Sequence, residues 1–196
     1  MTNHDKVYNL IVDKSLILFN TQGIHKTSIQ DIMSETGLPK GSIYRRFKDK
    51  NDIVLAAYEK AGLIIWSHIN NSVENKATTL EKILAISEIY LDAVHNPPIE
   101  GGCPLLNTAV ESDSTFPELK TMTSKAFNNM TMFVEALLNE GIESGEFTNE
   151  LEPHSMASHL LASMEGAIMA SRLSLSNEHI KNNLDFTKRL LLSYSV

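Results

Sequence analysis

Two short helix-forming segments that meet at Gly37 constrain this chain more than any other feature. The upstream segment is Thr27-Ser28-Ile29-Gln30-Asp31-Ile32-Met33-Ser34-Glu35-Thr36, and it reads as a helix ending in a turn. The downstream segment is Lys40-Gly41-Ser42-Ile43-Tyr44-Arg45-Arg46-Phe47-Lys48-Asp49-Lys50, with five basic residues and only Asp49 to oppose them. Gly37 stands where a sharp turn favours a residue that tolerates positive φ. Together the two segments predict a helix-turn-helix whose second helix is shaped for the major groove of DNA.

The charge is unevenly divided. Residues 1–60 hold nine Lys+Arg against seven Asp+Glu, and residues 61–196 hold eight against seventeen. The head therefore carries +2 within a chain of formal net charge -7. Such a split points to a polyanionic partner for the basic end, here double-stranded DNA. No apolar run reaches the roughly 18–20 residues needed to cross a bilayer, and no signal peptide opens the chain. One cysteine, Cys103, leaves no intrachain disulfide. A cytoplasmic protein that does not engage membranes is expected.

Caps and breakers divide the 196 residues into about nine helices without a convincing strand, so the fold class is all-α. Helix 1 is expected over about 5–21, with Val7, Leu10, Ile11, Leu18 and Phe19 on one face. Helix 2 is expected from Thr27, where Thr27-x-x-Gln30 has the form of a capping box, and helix 3 from near Pro39. Helix 4 follows Asp52 and runs to about Val73, with Leu55, Tyr58, Gly62, Ile65 and Ile69 as its stripe. The remaining five are expected over about 79–95, 104–111, 117–145, 153–173 and 177–194. Residues 1–50 are assigned to a DNA-binding head and 51–196 to a body for ligand binding and dimerisation.

Each polar residue of the head has a chemical reason to face DNA. Arg45 and Arg46 can fork onto guanine O6 and N7. Tyr44 and Lys50 suit phosphate anchors, one by its hydroxyl and one by its charge. Gly41 lets backbone approach the groove, beside Lys40 and Ser42. Thr27 and Ser28 can cap helix 2 and reach a phosphate at its free amides. Ile32, Ile43 and Phe47 fall on the inner faces, the last two stacked four residues apart.

Residues 8–58 resemble the head of TetR-family repressors. The likeness is carried by Ile11 to Phe19, Gly23, Thr27 to Ile32, Gly37, Lys40 to Tyr44, Phe47 and Lys50. It implies a homodimer that binds an operator and lets go when a small molecule occupies the body. It also implies DNA-facing roles for Thr27, Lys40, Gly41, Ser42, Tyr44, Arg46 and Lys50. Arg46 stands where a histidine is common, and Pro39 replaces a frequent serine. The family's dimer interface lies on the last two helices, here rich in small residues such as Ala162, Gly166 and Ala170.

Soft and aromatic side chains in the body suit a pocket for a small apolar or amphipathic molecule. Trp66, Ile69, Tyr90, Phe127, Met130 and Met164 are its candidate lining. The stretch from Gly101 through Cys103 and Asn107 to Glu111 resembles a "GC…NxAxE" segment found in part of the family, and it adds Cys103 and Asn107 to the candidates. Cys103 at a helix start reads two ways: as a reactive, electrophile-sensing thiol or as a small buried residue. The regulator is accordingly expected to repress, with activation or redox sensing through Cys103 as the alternative. His154 and His159 are five apart, poor spacing for one metal on a helix. With no H-E-x-x-H, G-x-S-x-G or glycine-rich phosphate loop, neither an enzyme, a metal site nor a cofactor is expected.

Overall fold

The computed structural model describes residues 3–112 and 116–196, with side chains from Lys6 onward. Among these residues the chain forms nine α-helices and no named strand, as the all-α reading requires. They are α1 (Asn3–Gln22), α2 (Ile29–Thr36), α3 (Lys40–Tyr44), α4 (Lys50–Val73), α5 (Thr79–Glu88), α6 (Pro104–Glu111), α7 (Pro117–Glu143), α8 (Pro153–Ser174) and α9 (Glu178–Leu192). An isolated bridge pairs Phe147 with Ser195.

Three helix ends differ from the sequence reading. Ser28, not Thr27, is the N-cap of α2: its hydroxyl accepts from the Asp31 amide at 3.2 Å, and Asp31 accepts back from the Ser28 amide at 2.7 Å. Thr27 is drawn inward instead, 0% exposed, donating its hydroxyl to the Gly23 carbonyl at 2.8 Å. The second difference is the length of α3, which stops at Tyr44, so Arg45 and Arg46 lie in the turn beyond it. The third is α5, which ends at Glu88 rather than near His95. Beyond it, Asp92 accepts from the His95 amide at 3.2 Å and Asn177 Oδ1 accepts from the Val94 amide at 3.1 Å. Side chains there take backbone groups that a continuing helix would have used.

Packing divides the chain into two compact units. The first holds residues up to Ile65 together with Ile99–Thr123, and the second holds Trp66–Pro98 with Ser124–Val196. In the first unit Ile11, Leu18 and Phe19 of α1 share a core with Ile32, Ile43, Phe47, Ile53, Val54 and Ala57. Complete burial of an aliphatic side chain contributes about 1.5–3 kcal/mol, so this cluster defines where α2 and α3 must lie. Ile99, Phe116 and Leu119 belong to the same cluster.

The second unit buries Ile69, Ile83, Tyr90, Leu138, Phe147, Leu160, Met164, Ile168 and Ile180. Here α9 packs against both α8 and α5. Glu146 caps α5 from outside its own sequence, accepting from the amides of Thr79 at 2.7 Å and Leu80 at 2.8 Å. A carboxylate at that end also meets the positive pole of the helix dipole.

Candidate nucleic-acid interface

The turn between α2 and α3 is set by Gly37. Its φ of 67° is left-handed, and its amide donates to the Met33 carbonyl at 2.9 Å. A β-carbon at this φ costs roughly 1–2 kcal/mol, which is why glycine fits. Ile43 and Phe47 then anchor the far side of the turn in the core. Tyr8 of α1 stacks on Phe47 with ring centroids 5.0 Å apart.

With Ile43 and Phe47 inward, the rest of the segment sorts by helical position. Lys40, Gly41, Tyr44 and Arg45 are exposed, whereas Ser42 and Arg46 are half-buried on the flank. The Lys40 ammonium lies 5.7 Å from the Tyr44 ring centroid, and Tyr44 is 43% exposed. Arg45 folds back on its own helix, donating Nε to the Gly41 carbonyl at 3.1 Å and Nη2 to Ser42 Oγ at 3.3 Å. Arg46 donates Nη1 to the Ser42 carbonyl at 3.0 Å, and its Nε is buried.

Of the other residues expected to face DNA, Ser28 is exposed, and its hydroxyl donates to Asp31 at 2.7 Å. Thr27 is the correction: a fully buried side chain presents nothing to a duplex, because its hydroxyl and methyl are both inside the α1–α2 corner. Lys50, in the first turn of α4, is half-buried and donates its ammonium to the Ile24 carbonyl. Burial lowers its pKa, opposed by the charges of Glu111 and Asp31. Lys48 is exposed, and its backbone amide donates to Asp52 at 2.8 Å.

The residues expected to line a ligand pocket fall in both units. Trp66, Ile69, Tyr90, Phe127, Met130 and Met164 belong to the second, where Ile69, Tyr90, Met130 and Met164 are buried and Trp66 meets Phe133 edge to face at 5.4 Å. Cys103 and Asn107 belong to the first. Cys103 is the N-cap residue of α6 and is 5% exposed. The Asn107 amide nitrogen donates to Asn20 Oδ1 at 2.9 Å and to the Gly101 carbonyl at 3.0 Å. Asn20 in turn donates to the carbonyls of Glu100 at 2.7 Å and Gly102 at 3.0 Å. At the other end of α6, Glu111 accepts the His25 amide at 3.0 Å.

No sequence signal announces this α1–α6 clasp, in which Glu111 of the 101–111 stretch meets the His25 amide. The pairing of Asn20 with Asn107 spans 87 positions, and no local periodicity encodes it. A cleft of about 350 Å³, partly open solvent, adjoins it. Its lining includes Phe19, Val54, Ala57, Tyr58, Asn107 and Glu111. Of the proposed ligand residues, Asn107 alone takes part in that lining.

An exposed cationic face on the second helix of a glycine-hinged pair and the turn that follows it is the geometry of a DNA-binding helix-turn-helix. Comparison with known proteins agrees. The profile described as "Bacterial regulatory proteins, tetR family" matches residues 11–57, and "Tetracyclin repressor-like, C-terminal domain" matches residues 79–186. The chain belongs to the tetR family of bacterial regulatory proteins and is a DNA-binding transcriptional regulator.

A crystal structure of a TetR transcriptional regulator from Chloroflexus aurantiacus J-10-FL matches it with a TM-score of 0.95. The two are 30% identical, over 100% of this chain and 98% of that one. The fatty acid metabolism regulator protein of Bacillus subtilis (strain 168) is 29% identical over 149 residues, 74% of this chain and 73% of that protein. The HTH-type transcriptional repressor DhaR of Mycobacterium sp. (strain GP1) is 24% identical over 182 residues, 93% of this chain and 90% of that protein. Among the described residues no helix is long and apolar enough to cross a membrane.

Proposed function

We propose that the protein is a repressor that binds operator DNA as a homodimer and is released by a small apolar or amphipathic inducer. The observation that carries this reading is the exposed stripe of Lys40, Gly41, Tyr44 and Arg45 set opposite the buried pair Ile43 and Phe47. In it, residues 1–50 are the DNA-binding domain and residues 51–196 bind ligand and dimerise. Ser28, Lys40, Gly41, Ser42, Tyr44, Arg45 and Lys50 make the DNA contacts, with Arg46 beside them on the flank of the turn. Lys50 does so by leaving the Ile24 carbonyl for a phosphate.

Dimerisation through the last two helices is supported by the apolar groups they leave exposed. Leu173 of α8 is 83% exposed and Phe186 of α9 is 59% exposed. A two-fold dimer then sets its recognition helices about 34–36 Å apart, one turn of DNA. The inducer is placed among Trp66, Ile69, Tyr90, Phe127, Met130 and Met164, where flexible methionines can repack around an apolar guest. That one relative regulates fatty acid metabolism, by its name, supports an effector with an acyl-like body. Release follows only if the ligand favours the state in which α4 is tilted away from the operator-competent setting. Cys103, 5% exposed at the start of α6, is read here as a small buried residue rather than as a sensor thiol.

The test is fluorescence anisotropy of the full chain on its own upstream DNA between about 50 and 200 mM salt. About 6–10 phosphate contacts predict a loss of roughly 10³–10⁵ in affinity over that range. An affinity indifferent to salt would remove the reading.

A further inference from the structure

The two adjacent arginines beyond α3 are not equivalent, and the difference is geometric. Arg45, four residues after Gly41, is exposed together with Lys40, Gly41 and Tyr44. Arg46 lies on the same side as Ser42, four residues earlier, and both are half-buried. Its donor reaches a main-chain carbonyl of α3 in part-buried surroundings, and its Nε is enclosed by protein. The bonds of Arg45 are solvent-exposed, and one goes to a serine hydroxyl that can rotate away. Water replaces such bonds at little cost, whereas the part-buried charged bond of Arg46 is replaced less readily. Gly41 adds room beside it: a β-carbon there would meet no heavy atom within 4 Å.

We propose that Arg45 is the base-reading arginine of this regulator and that Arg46 is a positioning residue. Arg45 unfolds from its helix into the major groove and forks onto one guanine per half-site. Arg46 stays on the Ser42 carbonyl and holds the turn that aims Arg45. The proposal rests on the DNA-binding reading above and sharpens it.

Selection of the full-length protein on a random-sequence DNA duplex library tests the assignment, followed by affinities for the enriched sequence and its single-base variants. The wild type should enrich a two-fold motif with a guanine at one position of each half-site. Arg45→Ala should erase the preference at that position alone and weaken the enriched site about 5- to 150-fold, the value of one bidentate pair. Arg45→Lys should keep the salt slope, because the charge remains, yet weaken the preference, because an ammonium lacks the planar, pre-organised fork. Arg46→Ala should lower the thermal midpoint and weaken all sequences alike, with the motif unchanged. Arg46→Gln serves the same purpose if the alanine variant does not fold.

The assignment is overturned if Arg46 variants change the preferred base while Arg45→Ala leaves it, or if Arg45→Ala weakens every sequence equally. A wild type that enriches no sequence refutes the DNA-binding reading itself, and this assignment with it.

Discussion

The exposed stripe of α3 and the clasp between α1 and α6 sit in the same compact unit, and both are rich in polar groups. They use those groups in opposite ways. At the clasp, Asn107 and Asn20 direct their amide donors at carbonyl or amide oxygens inside the protein. On the stripe, the exposed Lys40 ammonium lies by the exposed Tyr44 ring, and Arg45 bonds only to Gly41 and Ser42 just before it. Donors engaged across 80 or more positions mark architecture, and donors left facing water mark a surface awaiting a partner. Asn107, a ligand candidate by sequence, belongs with the first kind.

The sharpest way to break this contrast is at Gly101, whose φ is 97°. A β-carbon there would fall on the Asn20 carbonyl oxygen, a backbone atom that cannot swing aside. Gly101→Ala should cost about 3 kcal/mol or more, adding left-handed strain to overpacking, and urea unfolding of the full chain would read it. Next comes Asn107→Ala, which strands the Asn20 Oδ1 acceptor in a part-buried site. A loss of about 1–3 kcal/mol is expected, with little change in DNA affinity at temperatures where the variant stays folded. A large change in affinity instead would place the clasp with the interface.

Ser28→Ala removes the cap of α2 and should cost about 1 kcal/mol, read as a lower thermal midpoint. The smallest effect concerns pH. Hydrogen bonds from the Ser28 side chain, then from its backbone, hold the Asp31 carboxyl below its usual 3.8. A depressed folded pKa contributes stability above the unfolded value, and that contribution is lost as pH falls through the folded one. Protection of the α2 amides, referred to the intrinsic exchange rate at each pH, should therefore fall in acid below about pH 3.8, and Asp31→Asn should flatten the response.

Much of the head was legible because its signals are local. Gly37 and the apolar pair Ile43 and Phe47 declare turn and inner face within a dozen residues, and each stands where expected. Cap chemistry was read one residue early at Thr27, since threonine and serine are both good caps and only packing chose between them. Periodicity in α4 misjudged the buried face. Of the expected stripe Ile69 is buried, but Leu55, Tyr58, Gly62 and Ile65 are half-buried or exposed, while Ile53, Val54, Ala57 and Ala61 are inside. A helix apolar on several sides does not announce which one meets the core. The clasp was invisible, because its partners are adjacent in space alone.

The small, two-point attachment of α3 has an evolutionary corollary. Ile43 within the helix and Phe47 just beyond it hold it from beneath, so Lys40, Tyr44 and Arg45 can be exchanged with little penalty to folding. Duplicated copies of such a gene can thus drift to new target sites by a handful of surface changes while the scaffold underneath stays intact.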